Sequence, residues 1–196
     1  MSATAAANER RKLIIREAAT LFNKTGYFHT TMDDIAEAVG VSKATLYYYM
    51  SSKEEILYLI HEELIDHFIS LHESRLTTRM TCSQLLQEVL VDILEQIHQF
   101  PGYVRAFFEH YRELNADMKE QIKNKRDAYF QMIVKVFRQG IANGEFRVNN
   151  PTLTALAFFG MCNWAYQWYN PEGEQRPRQI ALTFWDIFMH GIKHER

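Results

Sequence analysis

Apolar residues recur at three- and four-residue steps along almost the whole chain. Between Asn8 and Thr25, Leu13, Ile14, Ala18, Leu21 and Phe22 make one stripe, the spacing of an amphipathic helix. Gly26 follows, a residue free to take the left-handed conformation that ends a helix. In "TTMDDIAEAVG", Thr31 and Asp34 have capping-box spacing, Ile35, Ala38 and Val39 supply the apolar side, and Gly40 stops the segment. Ser42 caps a second short helix carrying Ala44, Leu46 and Tyr47. Ser52, with Glu55 at the reciprocal position, opens a long helix to about Leu76.

The same pattern continues to the C-terminus. Thr81 and Gln84 start a helix to about Gln99, "FPG" at 100–102 breaks it, and a short helix carries Val104, Phe107, Phe108 and Tyr111. Asn115 caps a helix running to about Asn143, where "NGEF" ends it. Asn150 followed by Pro151 reads as a cap with proline at the first helical position, opening a helix to about Tyr169. "NPEGEQRPR" is a polar loop, and residues 178–193 form a last apolar-rich helix. The expectation is an all-α protein of about nine helices with no strand and no internal repeat. Its boundary falls near Met50, giving a domain 1–50 and a larger domain 51–196 without a flexible linker.

Composition narrows the picture. With 196 residues, 47% hydrophobic and 13% aromatic, the chain is long and apolar enough to bury a core. The net charge of −2 gives no overall mark of a nucleic-acid binder, and residues 1–56 hold seven Lys/Arg against seven Asp/Glu. No segment approaches the roughly 18 uncharged apolar residues of a membrane span, and "MSATAAANERRKLII" is no secretory signal. Cys82 and Cys162 have no CxxC spacing and suit a reducing, cytoplasmic interior. No GxSxG, phosphate loop or dinucleotide fingerprint is present, so an enzyme is not expected, nor is a cofactor. "HEELIDH" at 61–67 is not HExxH and reads better as a solvated helix face than as a metal site.

Two features carry the functional reading. The short helices joined by Gly40-Val41-Ser42 form a helix-turn-helix, and helices this short need neighbours to clamp them. Directly after the turn stand Tyr47, Tyr48 and Tyr49. Successive helical residues point about 100° apart, so these three rings cannot all enter one core. An outward aromatic beside a lysine and small hydroxylated residues either packs on another helix or meets a partner.

The stretch "TTMDDIAEAVGVSKATLYYYMSSKEEIL" resembles the DNA-binding segment of TetR-family transcriptional repressors, through Thr31, Ile35, Ala36, Gly40, Val41, Ser42, Thr45, Leu46, Tyr47, Tyr49, Met50, Ser52, Lys53 and Ile56. Tyr49 stands where the family often has histidine, and Met50 where it usually has phenylalanine; both keep the bulk. The resemblance implies a regulator whose second short helix enters the major groove of double-stranded DNA. Lys43, Ala44 and Thr45 become the base-facing set, since lysine donates to guanine and methyl groups meet the thymine methyl. Tyr47 and Tyr49 reach phosphate or sugar, Tyr48 packs toward the groove or toward the neighbouring helix, and Ser42, Thr31 and Lys53 lie at helix starts suited to phosphate. Ser42 and Ser52 are cap residues under any function.

One short recognition helix covers few base pairs, so the resemblance also implies a homodimer on a palindromic operator. "LTALAFFGMCNWAYQWY" and "IALTFWDIFMHGI", apolar around much of their circumference, are the interface helices, with Phe158, Phe159, Phe184, Trp185 and Phe188 in that region. Family members release DNA on binding a small-molecule inducer among their central helices. Candidate lining residues here are Phe107, Phe108, Tyr111, Tyr129, Met132, Met161, Asn163, Trp164, Gln167 and Trp168. The aromatic stripe is equally what a core needs, whereas Asn163 and Gln167 between tryptophans need polar partners. "FGMCNWAYQWYNPEGE" is similar to the C-terminal region of TetR-type regulators of fatty-acid and sterol-ring catabolism, which implies an acyl-CoA thioester as ligand, with Arg105, Arg112 and Arg138 as cations for its phosphates. A free lipophilic or aromatic compound is the alternative ligand. The alternative function is a ligand-independent architectural DNA binder.

Overall fold

The computed structural model describes residues 3–190, and all regular structure among them is helical. In chain order the helices are α1 (Ala3–Thr25), α2 (Met32–Val39), α3 (Lys43–Tyr49), α4 (Lys53–Leu76), α5 (Cys82–Gln99), α6 (Pro101–Glu109), α7 (Ala116–Ala142), α8 (Pro151–Asn163), α9 (Ala165–Trp168) and α10 (Pro177–His190). A single 3₁₀ turn, Tyr111–Glu113, precedes α7. The expected nine helices therefore all occur, the eighth interrupted at Trp164 to leave the short α9. Positions 191–193, expected to finish the last helix, lie outside the described residues.

Local chemistry explains most boundaries. Thr31 accepts from the Asp34 N–H at 3.1 Å while its own N–H donates to Asp34 Oδ2 at 2.7 Å, closing a full capping box. Thr81 and Gln84 form the second box. The Asn150 side chain accepts from the N–H groups of Thr152 and Leu153, with Pro151 at the first position. Gly26 and Gly40 take φ of 90° and 70°, the left-handed conformation that lets the chain turn out of α1 and α2. Ser52 caps α4 through the Glu55 N–H at 3.0 Å, but the reciprocal half of that expected box is absent. Glu55 instead accepts from the N–H and hydroxyl of Ser51, at 2.6 and 2.7 Å, and pairs with Arg11.

The chain divides into two units, and the division differs from a cut near Met50. The first takes residues up to Asp66 together with Pro101–Lys125; the second takes His67–Phe100 and everything from Arg126. Unit one has a core of Ile14, Ile15, Ala18 and Phe22 from α1, Ile35 and Ala36 from α2, Leu46 and Met50 around α3, and Ile56, Leu57 and Ile60 from α4. Segment 101–125 joins it through polar pairs as well as packing. Tyr103 donates to Glu63, the Asn115 N–H donates to Glu54, and Lys125 pairs with Glu62 and Asp66. α6 lies so close to α1 that a Cβ on Gly102 would sit 2.3 Å from the Ala19 carbonyl oxygen.

Unit two is built around α5, whose Leu86, Val89, Leu90 and Leu94 are buried, with Ile133, Val134 and Phe137 of α7, Phe158 and Cys162 of α8, and Ala181 and Trp185 of α10. The Phe137 ring meets those of Phe146, Phe158 and Phe188 at 5.7–6.1 Å. Arg75 and Asp92 form a largely buried two-point ion pair between α4 and α5. The Glu145 carboxylate accepts from the N–H groups of Cys82 and Ser83, so a residue from the loop after α7 closes the start of α5.

Candidate nucleic-acid interface

α3 has one buried residue within its span, Leu46, and Met50 just past its end is buried as well. At 100° per residue, Ala44 and Tyr48 point directly away from Leu46, and Tyr47 and Thr45 flank them on either side. The exposures follow that wheel. Tyr48 is 83% exposed and Tyr47 46%, Lys43, Ala44 and Thr45 are exposed, and Tyr49, nearer the core side, is half-buried. Tyr48 thus turns outward, its ring edge-on to Tyr49 at 5.1 Å, instead of packing on a neighbouring helix.

The start of α3 is fixed without using up the outward face. Ser42 Oγ accepts from the Thr45 N–H at 3.1 Å and lies 2.8 Å from the Thr45 hydroxyl. Lys43 reaches Asp33 on α2, and that partner's hydrogen bond raises the lysine pKa above its ordinary value. At the α2 start, the Thr31 N–H and hydroxyl hold the Asp34 carboxyl below the usual range. Behind α3, Arg11 donates to the Tyr49 carbonyl at 3.0 Å, tying the helix end to α1.

Lys53, the first residue of α4, has its side chain engaged within the chain. Its ammonium donates to the carbonyls of Tyr27 and Thr30, at 2.7 and 2.8 Å, and stands 4.4 Å over the Tyr27 ring. Burial lowers its pKa. With two acceptors and a ring engaged, this ammonium secures the turn before α2.

The candidate ligand residues are divided between the two units. Phe107, Phe108 and Tyr111 belong to unit one, where Phe107 and Tyr111 pack around the buried His61 and Tyr111 donates to the Lys119 carbonyl. The other seven belong to unit two. Tyr129 is buried against Phe68 and Phe159, and Met132, Met161 and Asn163 are half-buried. Trp164 is 64% exposed, and Gln167 and Trp168 are also exposed, so these three stand at the surface of the single chain. Trp164 ends α8 (φ −85°, ψ −14°), and the short α9 follows it directly.

The candidate interface aromatics also divide. Phe158 and Trp185 are buried within the chain and Phe159, Phe184 and Phe188 are half-buried, so these rings serve the core of unit two first. The exposed apolar side chains on the same helices are Leu153, Leu156 and Trp164 of α8 and Leu182 and Ile187 of α10. Leu153, Leu156, Gly160 and Trp164 lie on the side of α8 opposite Ala155, Phe158 and Cys162. A helix apolar all round conceals this two-sidedness in sequence. Asp33, as the partner of Lys43, was equally unmarked.

Among the described residues no group of three or more His, Cys, Asp or Glu is placed to hold a metal ion. Among the described residues no helix is long and apolar enough to cross a membrane.

The chain is similar to known proteins along most of its length. Residues 14–58 match the family described as "Bacterial regulatory proteins, tetR family", and residues 80–192 match "Tetracyclin repressor-like, C-terminal domain". The chain belongs to the TetR family and is a DNA-binding transcriptional regulator rather than an enzyme. The HTH-type transcriptional repressor KstR2 of Mycobacterium tuberculosis is 25% identical over 190 residues, covering 96% of this chain and 95% of KstR2. The TetR-family regulator PfmR from Thermus thermophilus superimposes with a TM-score of 0.86 at 27% identity, over 92% of this chain and 99% of PfmR. AibR, solved with isovaleryl coenzyme A and operator DNA, gives 0.81 at 26% identity, over 92% and 98%.

Proposed function

We propose that two copies of this chain bind a palindromic operator as a repressor and leave it when an acyl-CoA thioester binds. The observation that carries the DNA half is the outward face of α3. Ala44, Thr45 and Tyr48 turn away from Leu46 in a helix whose backbone is held by a serine cap and an arginine, as a groove-reading helix requires. Lys43 and Tyr47 border that face and contact the phosphates and the nearest base edge, and the α2 start at Thr31 offers N–H groups to phosphate. This module supplies few cations, so base and sugar contacts carry more of the affinity than counterion release does.

Dimerisation is supported by the exposed stripe of Leu153 and Leu156 on α8 and Trp164 at its end, with Leu182 also exposed on α10. Large apolar groups aligned on one side of a helix are more than scattered surface hydrophobes. The thioester ligand is supported by the likeness to AibR, which is seen with both isovaleryl coenzyme A and operator DNA. Repression is supported by KstR2.

The test is a fluorescence-anisotropy titration of purified protein on its selected operator, followed by addition of short- and long-chain acyl-CoA thioesters. Binding at two protomers per symmetric site and release by at least one thioester class support the reading. Binding that no thioester disturbs favours the ligand-independent architectural alternative.

A further inference from the structure

His72 lies on α4 within unit two and is 2% exposed, and no protein atom is within hydrogen-bond reach of its Nδ1. A buried imidazole nitrogen with no partner is costly to fold, and such groups are generally matched to something. The neighbours are of two kinds. Tyr129 presents its ring edge-on to the imidazole at 6.5 Å and is itself flanked by the rings of Phe68 and Phe159, each 5.9 Å from it. Nearly one turn along the same helix, Arg75 is locked to Asp92, so the neighbouring guanidinium is already paired. Burial first, and then Arg75, hold the imidazole in its neutral form against the opposing pull of Glu73.

A wall of aromatic rings with one neutral, unmatched polar nitrogen, its neighbouring cation engaged elsewhere, suits an apolar ligand bearing an uncharged oxygen. It does not suit a carboxylate or a phosphate. Neutral imidazole can carry its hydrogen on Nδ1 and donate it to a carbonyl. We propose that His72 Nδ1 hydrogen-bonds the carbonyl oxygen of the acyl-CoA thioester, orienting the acyl group against Tyr129, Phe68 and Phe159. This inference rests on the acyl-CoA reading above and adds the residue that recognises the thioester itself.

The experiment compares two probes of equal chain length, isovaleryl-CoA and the matching S-isopentyl-CoA thioether, which lacks the carbonyl. Their affinities for wild-type protein, His72→Phe and His72→Gln are measured by calorimetry, with far-ultraviolet circular dichroism confirming the fold of each. Wild type is expected to prefer the thioester about tenfold, the worth of one buried hydrogen bond. His72→Phe is expected to bind both probes equally, and His72→Gln, which keeps a donor, to recover part of the preference. A preference retained in His72→Phe overturns the role of His72 while leaving the ligand class intact. Failure of wild type to bind either probe overturns both.

Discussion

The ammonium of Lys43, the first residue of α3, lies 2.9 Å from the Asp33 carboxylate on α2, and both side chains are exposed. The pair joins α2 and α3 at the surface proposed above to meet DNA, where a carboxylate would repel phosphate. An exposed pair contributes little to stability. Its effect belongs to binding: Asp33 holds Lys43 in one direction and opposes attachment to random sequence. Asp33→Asn should therefore tighten binding to scrambled DNA by roughly fivefold, the scale of one charge interaction in water at about 4 Å. Operator affinity should rise less. Anisotropy on both DNAs at two salt concentrations checks this, and equal gains on both would refute the orienting role.

Leu46 and Tyr48 occupy opposite sides of α3, and their truncations should separate folding from recognition. Leu46→Ala opens a cavity in a fully buried site and should cost about 2–5 kcal/mol of stability. Tyr48→Ala should leave the melting temperature nearly unchanged, as surface substitutions do, yet weaken operator binding roughly tenfold or more. Thermal melts and anisotropy on the same preparations decide the matter.

Gly102 permits the close crossing of α1 and α6. Alanine gains up to about 1 kcal/mol in helix propensity, but its Cβ would overlap the Ala19 backbone, which cannot rotate aside. Overpacking of about 1–3 kcal/mol outweighs the gain. A lower midpoint in chemical denaturation for Gly102→Ala is expected; an unchanged or higher midpoint contradicts the packing described.

Leu156→Glu places a charge on the exposed stripe of α8 without touching the buried side of that helix. Sedimentation velocity should show a monomer with native helicity and greatly weakened operator binding. A dimer that survives this change and Trp164→Glu as well would place the interface elsewhere.

Acid should weaken the fold in two stages. The folded-state pKa of His72 is depressed by burial and then by Arg75, with Glu73 opposing, and that of His110 by burial, with Glu109 and Glu113 opposing. In the unfolded chain these imidazoles titrate near about 6.5, so the unfolded state takes up protons first and stability falls as pH drops below that value. Asp34 is depressed by its Thr31 hydrogen bonds. Burial alone would raise Glu55 and Glu145, yet Ser51 in one case and the N–H groups of Ser83 and Cys82 in the other hold them low. Their contribution is present above the usual carboxylate range and is lost at lower pH. Melting temperature should decline between about pH 6.5 and 5, and again below about 4.5, with the first slope shallower in His72→Phe.

What the sequence made legible was what neighbours in the chain decide. Thr31, Ser42, Thr81 and Asn150 cap helices through bonds spanning two or three residues, and Gly26 and Gly40 turn the chain where their placement announces it. The outward set on α3 follows from helical period once Leu46 is recognised as its buried residue. What was hidden depends on distant partners. Lys53 is claimed by carbonyls 23 and 26 residues away, Glu55 is shared between Ser51 and Arg11, and segment 101–125 joins unit one through Glu54 and Glu63. On α8, apolar residues on every side gave no way to tell the core ring Phe158 from the exposed Leu156.

Selection from a random DNA pool tests the reading head most directly. Wild-type protein should enrich a two-fold symmetric sequence with two equivalent half-sites. The folded Lys43→Ala/Tyr48→Ala variant should enrich nothing. No enrichment by wild type, or the same consensus from the variant, would contradict α3 as the DNA-reading element.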